Sequence, residues 1–198
     1  MKVLVAVPTF ENILPETFKS IYGLTIPDGV HVMFDFCKGY DCAKARNEIA
    51  KEAVKYGFDY VLMVDSDIIL PSNTLQCLLE NPVDICLGVY PRKNTSTGQT
   101  EIFKLGYKNF TDENNLNISE IVDPGRMDIK GGGLGCALIR VSIFKALPKP
   151  WFYYMIYPNG DVLSEDNYFC DRASSKGFKI QVDTRVRCGH LVRTFAFK

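Results

Sequence analysis

The chain has 198 residues, 46% hydrophobic and 12% aromatic, enough to bury a sizeable core and too apolar for a disordered segment. Lysine plus arginine balances aspartate plus glutamate at 23 each, so no net field favours nucleic acid or an anionic membrane. No apolar run reaches the ~18 residues of a membrane span, and "MKVLVAVPTFEN" is too short for a signal peptide. Seven cysteines without a CxxC pair fit reduced thiols, so the expectation is a cytoplasmic protein in which the sequons at Asn94, Asn109 and Asn117 are incidental.

"KVLVAV" (2–7) is continuous and β-branched, the pattern of a strand covered on both faces. "ENILPETFKSIYGL" reads as a helix with Pro15 near its start, and "GVHVMFDF" (29–36) as a second strand. "DCAKARNEIAKEAVKYG" is a helix capped by Asp41 and ended by Gly57, with Cys42, Ala45, Ile49, Ala53 and Tyr56 as its apolar stripe. "YVLMV", the helix "PSNTLQCLLEN" and the strand "DICLGVY" follow. Such alternation predicts an α/β fold: one domain over 1–198 with a mostly parallel, Rossmann-like central sheet flanked by helices.

Residues 91–130 are polar and loop-rich. "KGGGLGCALIRVSIFKAL" runs from glycine-rich to apolar to a short helix, and "SEDNYFCDRASSKG" is a helix capped by Ser164 and stopped by Gly177. "FKIQVDTRVRCGH" closes with one or two short strands.

Three places carry chemistry. "DYVLMVDSDIIL" sets Asp65 and Asp67 one residue apart at the end of a buried strand, where unpartnered carboxylates cost at least ~2 kcal/mol each. As strand residues i and i+2 they would share a face and converge on one Mn²⁺ or Mg²⁺; the other reading is a helix cap near Pro71 or a pair with an arginine. Asp166, three and four residues before Phe169 and Cys170, turns to the apolar side of its helix, as a general base with a raised pKa would. A lone histidine is more often structural, but His190 beside two strand-end aspartates suits a third metal ligand. "KGGGLG" with Gly132 and Gly133 either lets backbone approach a ligand or forms a tight turn. "WFYY" (151–154) either offers aromatic faces for stacking or is core.

In this order "VAVPTF", "DF", "ARNEIAKEA", "VLMVDSDIIL", "GGGLGCALIRVSIFKAL" and "SEDNYFCDRASSKGFKI…GH" resemble the nucleotide-diphospho-sugar transferases of the GT-A fold, close to family 2 glycosyltransferases, over nearly the whole chain. The resemblance implies a donor-binding half over 1–90 and an acceptor and catalytic half over 91–198. Pro8, Thr9, Phe10 and Glu11 would line the nucleotide pocket, Asp35 would meet the base, and Arg46 and Asn47 would face the nucleotide or its phosphates. Asp65 would contact ribose and metal with Ser66 beside it, and Asp67 and His190 would ligate the metal. Asp166 would be the base of an inverting transfer, with Glu165 as its support. The partners implied are a UDP- or GDP-sugar and an acceptor glycan or other hydroxyl compound, with a nucleic-acid acceptor left open. "DFCKGYD" replaces the acidic pair and Gly-Ser usual after the second strand, and no Q-x-x-R-W signature of a processive synthase occurs. Two rivals stay open: a nucleotidyltransferase, although "VPTFENILP" is not the glycine-rich basic loop such enzymes carry, and a catalytically idle nucleotide-sugar-binding module.

Overall fold

The computed structural model describes residues 1–39, 41–80, 82–93, 98–106 and 109–192, and the sequon at Asn94 lies outside them. Strand β1 (Lys2–Thr9) is followed by α1 (Pro15–Tyr22), β2 (His31–Lys38), α2 (Cys42–Lys55) and β3 (Tyr60–Val64). After a two-residue β4 (Ile68–Ile69) come α3 (Thr74–Leu79), β5 (Ile85–Val89), β6 (Gln99–Lys104), β7 (Asn115–Asn117), β8 (Arg126–Gly132) and β9 (Cys136–Arg140). The chain ends through α4 (Ser142–Ala146), a hairpin of β10 (Met155–Ile156) and β11 (Val162–Leu163), α5 (Glu165–Ser175), β12 (Ile180–Arg187) and β13 (Gly189–His190).

Nine of these strands form one sheet in the order β2-β1-β3-β9-β5-β12-β8-β6-β7. The continuous apolar run of β1 is explained by burial on both faces. Leu4 and Ala6 join the core under α2 and α5, while Val3, Val5 and Val7 join the core under α1 and α3. Local capping holds where it was expected: the Asp41 side chain accepts from Lys44 N–H at 3.0 Å, and Ser164 accepts from Asn167 N–H at 3.4 Å. The stripe of α2 is rotated, however. Ala43, Ala45, Arg46, Ile49, Ala50 and Ala53 are buried, while Tyr56 is exposed.

The expectation of a mostly parallel sheet is corrected. β1 pairs parallel with β2 and β3, and β5 parallel with β12, but the other pairings are antiparallel. β9 is the cause at the centre: it inserts between β3 and β5 and runs against both. The strands of residues 1–90 thus point one way, as their crossover helices require, but a remote segment separates two of them. β8 spreads over two partners, Arg126–Asp128 pairing with β12 and Ile129–Gly132 with β6. Among the described residues the seven cysteines are free thiols, and no helix is long and apolar enough to cross a membrane.

α5 packs on β8, and Gly131 sets how closely: a Cβ there would sit 2.6 Å from Cys170 Cβ. Gly131→Ala should therefore lower stability by about 1–3 kcal/mol, as overpacking does. An unchanged midpoint in a urea melt would show that α5 is free to shift.

Candidate functional site

The carboxyl ends of β1, β3 and β5 open on a cleft of about 510 Å³. Pro8, Thr9, Phe10, Asp65, Ser66, Asp67, Gly133, Asp166 and His190 all line it, although they come from five separate segments. A second cleft of about 460 Å³ adjoins it, sharing Thr9, Phe10, Ser66 and Asp67, and Glu11 lines that one instead. Asp35, on edge strand β2, lies outside both linings.

The two aspartates do not share a strand face. β3 ends at Val64, and Ile68 N–H donates to the Asp65 carbonyl at 3.1 Å, so Asp65–Ile68 is a turn and the period-two rule lapses. Asp65 turns to the interior, accepting from Arg46 Nη2 at 2.8 Å. Asp67 turns the other way and pairs with Lys93. The short β4–β13 ladder sets Ile68 opposite His190, with Leu191 N–H donating to the Asp67 carbonyl at 2.9 Å, and this brings His190 to the aspartate. His190 Nε2 lies 3.6 Å from Asp67 Oδ1, while Nδ1 lies 2.7 Å from the Pro91 carbonyl, an acceptor that fixes Nδ1 as a donor. Burial opposes charge on Asp67, but His190 and Lys93 overcome it and hold its pKa down at about 2. Burial likewise opposes charge on His190; Asp67 and the Pro91 carbonyl raise its pKa above the ordinary 6.5.

Beneath the cleft the Arg46 side chain is 1% exposed. Its guanidinium pairs with Asp65, Glu165 and Asp166, and its Nε has no partner among the described residues. Arg46, expected to face the nucleotide or its phosphates, lies outside the cleft lining and holds carboxylates from the β3 turn and the first turn of α5 on one buried cation. Asp166 alone of α5's acidic pair also lines the cleft, 17% exposed, with Oδ2 accepting from Leu134 N–H at 3.1 Å. Burial first, then the charges of Glu165 and Asp65, push its pKa up to about 7 against the pull of Arg46 and the Leu134 N–H.

Other expected positions are structural. Asn47 accepts from the backbone N–H of Trp151 and Phe152 and donates to the Phe152 and Ala43 carbonyls, tying 151–152 to α2. It does not line the cleft. Trp151 and Phe152 are core, whereas Tyr153 and Tyr154 are exposed. A Cβ on Gly132 would meet the Glu101 carbonyl oxygen at 2.5 Å, so that glycine serves strand packing; one on Gly133 would meet Tyr90 Oη at 2.2 Å, at the cleft wall. Sequence reasoning missed Tyr90 and Lys93, both lining the cleft just past β5; their place at a strand's carboxyl end was the available signal.

Among the described residues no three His, Cys, Asp or Glu side chains are grouped to hold a metal, and Asp65 pairs with Arg46. The donor chemistry that remains still fits a hard divalent ion. Asp67 offers carboxylate oxygens, His190 offers Nε2 with Nδ1 anchored on a carbonyl, and such ions complete their shells with phosphates and water.

No protein-family model matches the chain, and no curated protein matches it. Solved structures do. A197 from STIV is matched over 98% of this chain and 87% of that one, with a TM-score of 0.62 at 15% identity. GalNAc-T7, solved with UDP, GalNAc and Mn2+, is matched over 96% of this chain with a TM-score of 0.61 at 12% identity; the match spans 44% of that chain. The catalytic domain of Drosophila beta1,4galactosyltransferase 7, in complex with xylobiose, is matched over 97% of this chain and 71% of that one, with a TM-score of 0.54 at 17% identity. The likeness is one of fold, and the fold is GT-A-like.

Removing the buried cation tests the cluster. Arg46→Met should cost about 3–5 kcal/mol near neutral pH, because three carboxylates lose their common partner. The loss should shrink on acidification as they take up protons. In the intact protein Asp166 binds its proton more tightly folded than unfolded, so its contribution is fully present below the ordinary 3.8 and is lost as pH rises through about 7. Asp166→Asn should remove that decline. Urea melts across this range that keep the same pH slope in the variant would contradict the assigned shift.

Proposed function

We propose that the chain transfers a sugar from a UDP- or GDP-sugar to an acceptor hydroxyl, with Asp166 as base of an inverting displacement. The observation that carries this reading is that an oriented carboxylate with its pKa near 7 shares one cleft with a carboxylate–imidazole pair suited to a cation. The fold adds support, since GalNAc-T7 has been solved with UDP, GalNAc and Mn2+ and shares it.

In this reading residues 1–90 hold most of the donor, and 91–198 supply the base, His190 and Lys93 beside the diphosphate, and the acceptor side. Thr9 and the largely exposed Phe10 ring sit at the mouth, where they would bind and orient the nucleotide. Asp67 and His190 would hold Mn²⁺ or Mg²⁺, with Asp65 and diphosphate oxygens beside them. The bound ion would supply positive charge to the departing diphosphate. Asp166 takes the acceptor's proton as the new carbon–oxygen bond forms and the bond to the diphosphate breaks. Arg46 and Leu134 N–H keep the carboxylate aimed and limit how far burial raises its pKa. Glu165 stays under Arg46 as its second anchor.

Asp166→Asn should leave nucleotide-sugar affinity within a few-fold and lower turnover by roughly 10²-fold or more, as for loss of a general base. Near-normal turnover would move the base elsewhere. Separately, calorimetry should find that Mn²⁺ and a nucleoside diphosphate tighten one another's binding, and that Asp67→Ala abolishes the effect while the fold survives. Persistent coupling in Asp67→Ala would exclude it as a ligand.

A further inference from the structure

Lys93 pairs with Asp67 Oδ2, on the carboxylate whose other oxygen faces His190 Nε2 at 3.6 Å. Its side chain is 44% exposed, and among the described residues the ammonium pairs with Asp67 at the surface. The backbone beneath it is fixed. Pro91 is bridged to Thr100, the Pro91 carbonyl takes His190 Nδ1, and Arg92 N–H donates to the Gln99 carbonyl at 2.9 Å. Lys93 also lines both clefts that meet at Asp67. A compact ammonium on a long, half-solvated stem, next to a hydrogen-bonded segment, can change partner without moving the chain.

We infer that Lys93 binds the donor's diphosphate and that, before the donor arrives, it is the resident counter-ion of Asp67. The inference rests on the nucleotide-sugar reading above. A divalent cation and the Lys93 ammonium compete for one carboxylate. A diphosphate offers the ammonium a better acceptor, since charge-assisted bonds to phosphate are among the strong ones. Drawing Lys93 onto the diphosphate frees Asp67, so nucleotide binding promotes cation binding, and the reverse follows by linkage. Lys93 is thus a positioning residue that makes the site favour the cation–nucleotide pair over the cation alone.

The test is calorimetry on the wild type, Lys93→Met and Lys93→Arg with Mn²⁺ alone, with UDP or GDP in EDTA, and with both. Lys93→Met should bind Mn²⁺ alone roughly two- to fivefold more tightly, the range for removing a competing exposed ion pair. It should bind the nucleotide in EDTA about tenfold more weakly, as for one lost charge-assisted bond. The coupling between the two ligands should fall accordingly, and Lys93→Arg should keep it. Wild type that binds nucleotide and Mn²⁺, with Lys93→Met unchanged or shifted the same way for both, overturns the role of Lys93 alone. Wild type that binds neither ligand overturns the nucleotide-sugar reading and this inference with it.

Discussion

Arg46 joins two parts of the molecule that sequence keeps far apart. Its guanidinium meets Asp65, 19 residues on, and Glu165 and Asp166, 119 and 120 residues on, inside a side chain that is 1% exposed. A buried arginine is costly without partners, and buried carboxylates are costly without a cation, so neither half of the arrangement is stable alone. The β3 turn and the first turn of α5 are therefore held at one spacing. That spacing determines where Asp166 meets the cleft and how far its proton affinity is raised.

Charge divides the site into two zones. Inside, one guanidinium faces three carboxylates, and burial together with the excess negative charge raises the proton affinity of Asp166. Outside, Asp67 faces His190 and Lys93, and Lys93, the most exposed of these side chains, is the one that rearranges easily. The turn at Asp65–Ile68 separates the zones by sending adjacent acidic side chains in opposite directions.

Local features were legible in the sequence. β3, the Asp41 and Ser164 caps and the doubly buried β1 follow from patterns that span a few residues each. Which acid of α5's first turn goes deepest was not: helical period pointed Asp166 inward, whereas Glu165 is the buried one and Asp166 stands at the cleft wall. Arg46 was not: a charged residue on α2 reads as surface, and the partners that make its burial tolerable lie over a hundred residues away. Its burial is part of why the buried face of α2 differs from the stripe read from the sequence. The D-x-D geometry was missed for a related reason, since alternation holds only while the strand continues, and β3 stops one residue earlier.

The position of β9 bears on how the chain is made. β1 has both its partners, β2 and β3, once the chain has passed Val64, but β3 and β5 are joined in the sheet through residues 136–140. On a ribosome, the apolar edges of β3 and β5 therefore wait for some fifty further residues before either is covered. Unpaired apolar edges of this kind are where nascent chains associate wrongly. The centre of the sheet, beside which the cleft is built, is thus closed late in synthesis. The long sequence separation of those pairings makes this a slow step in refolding as well.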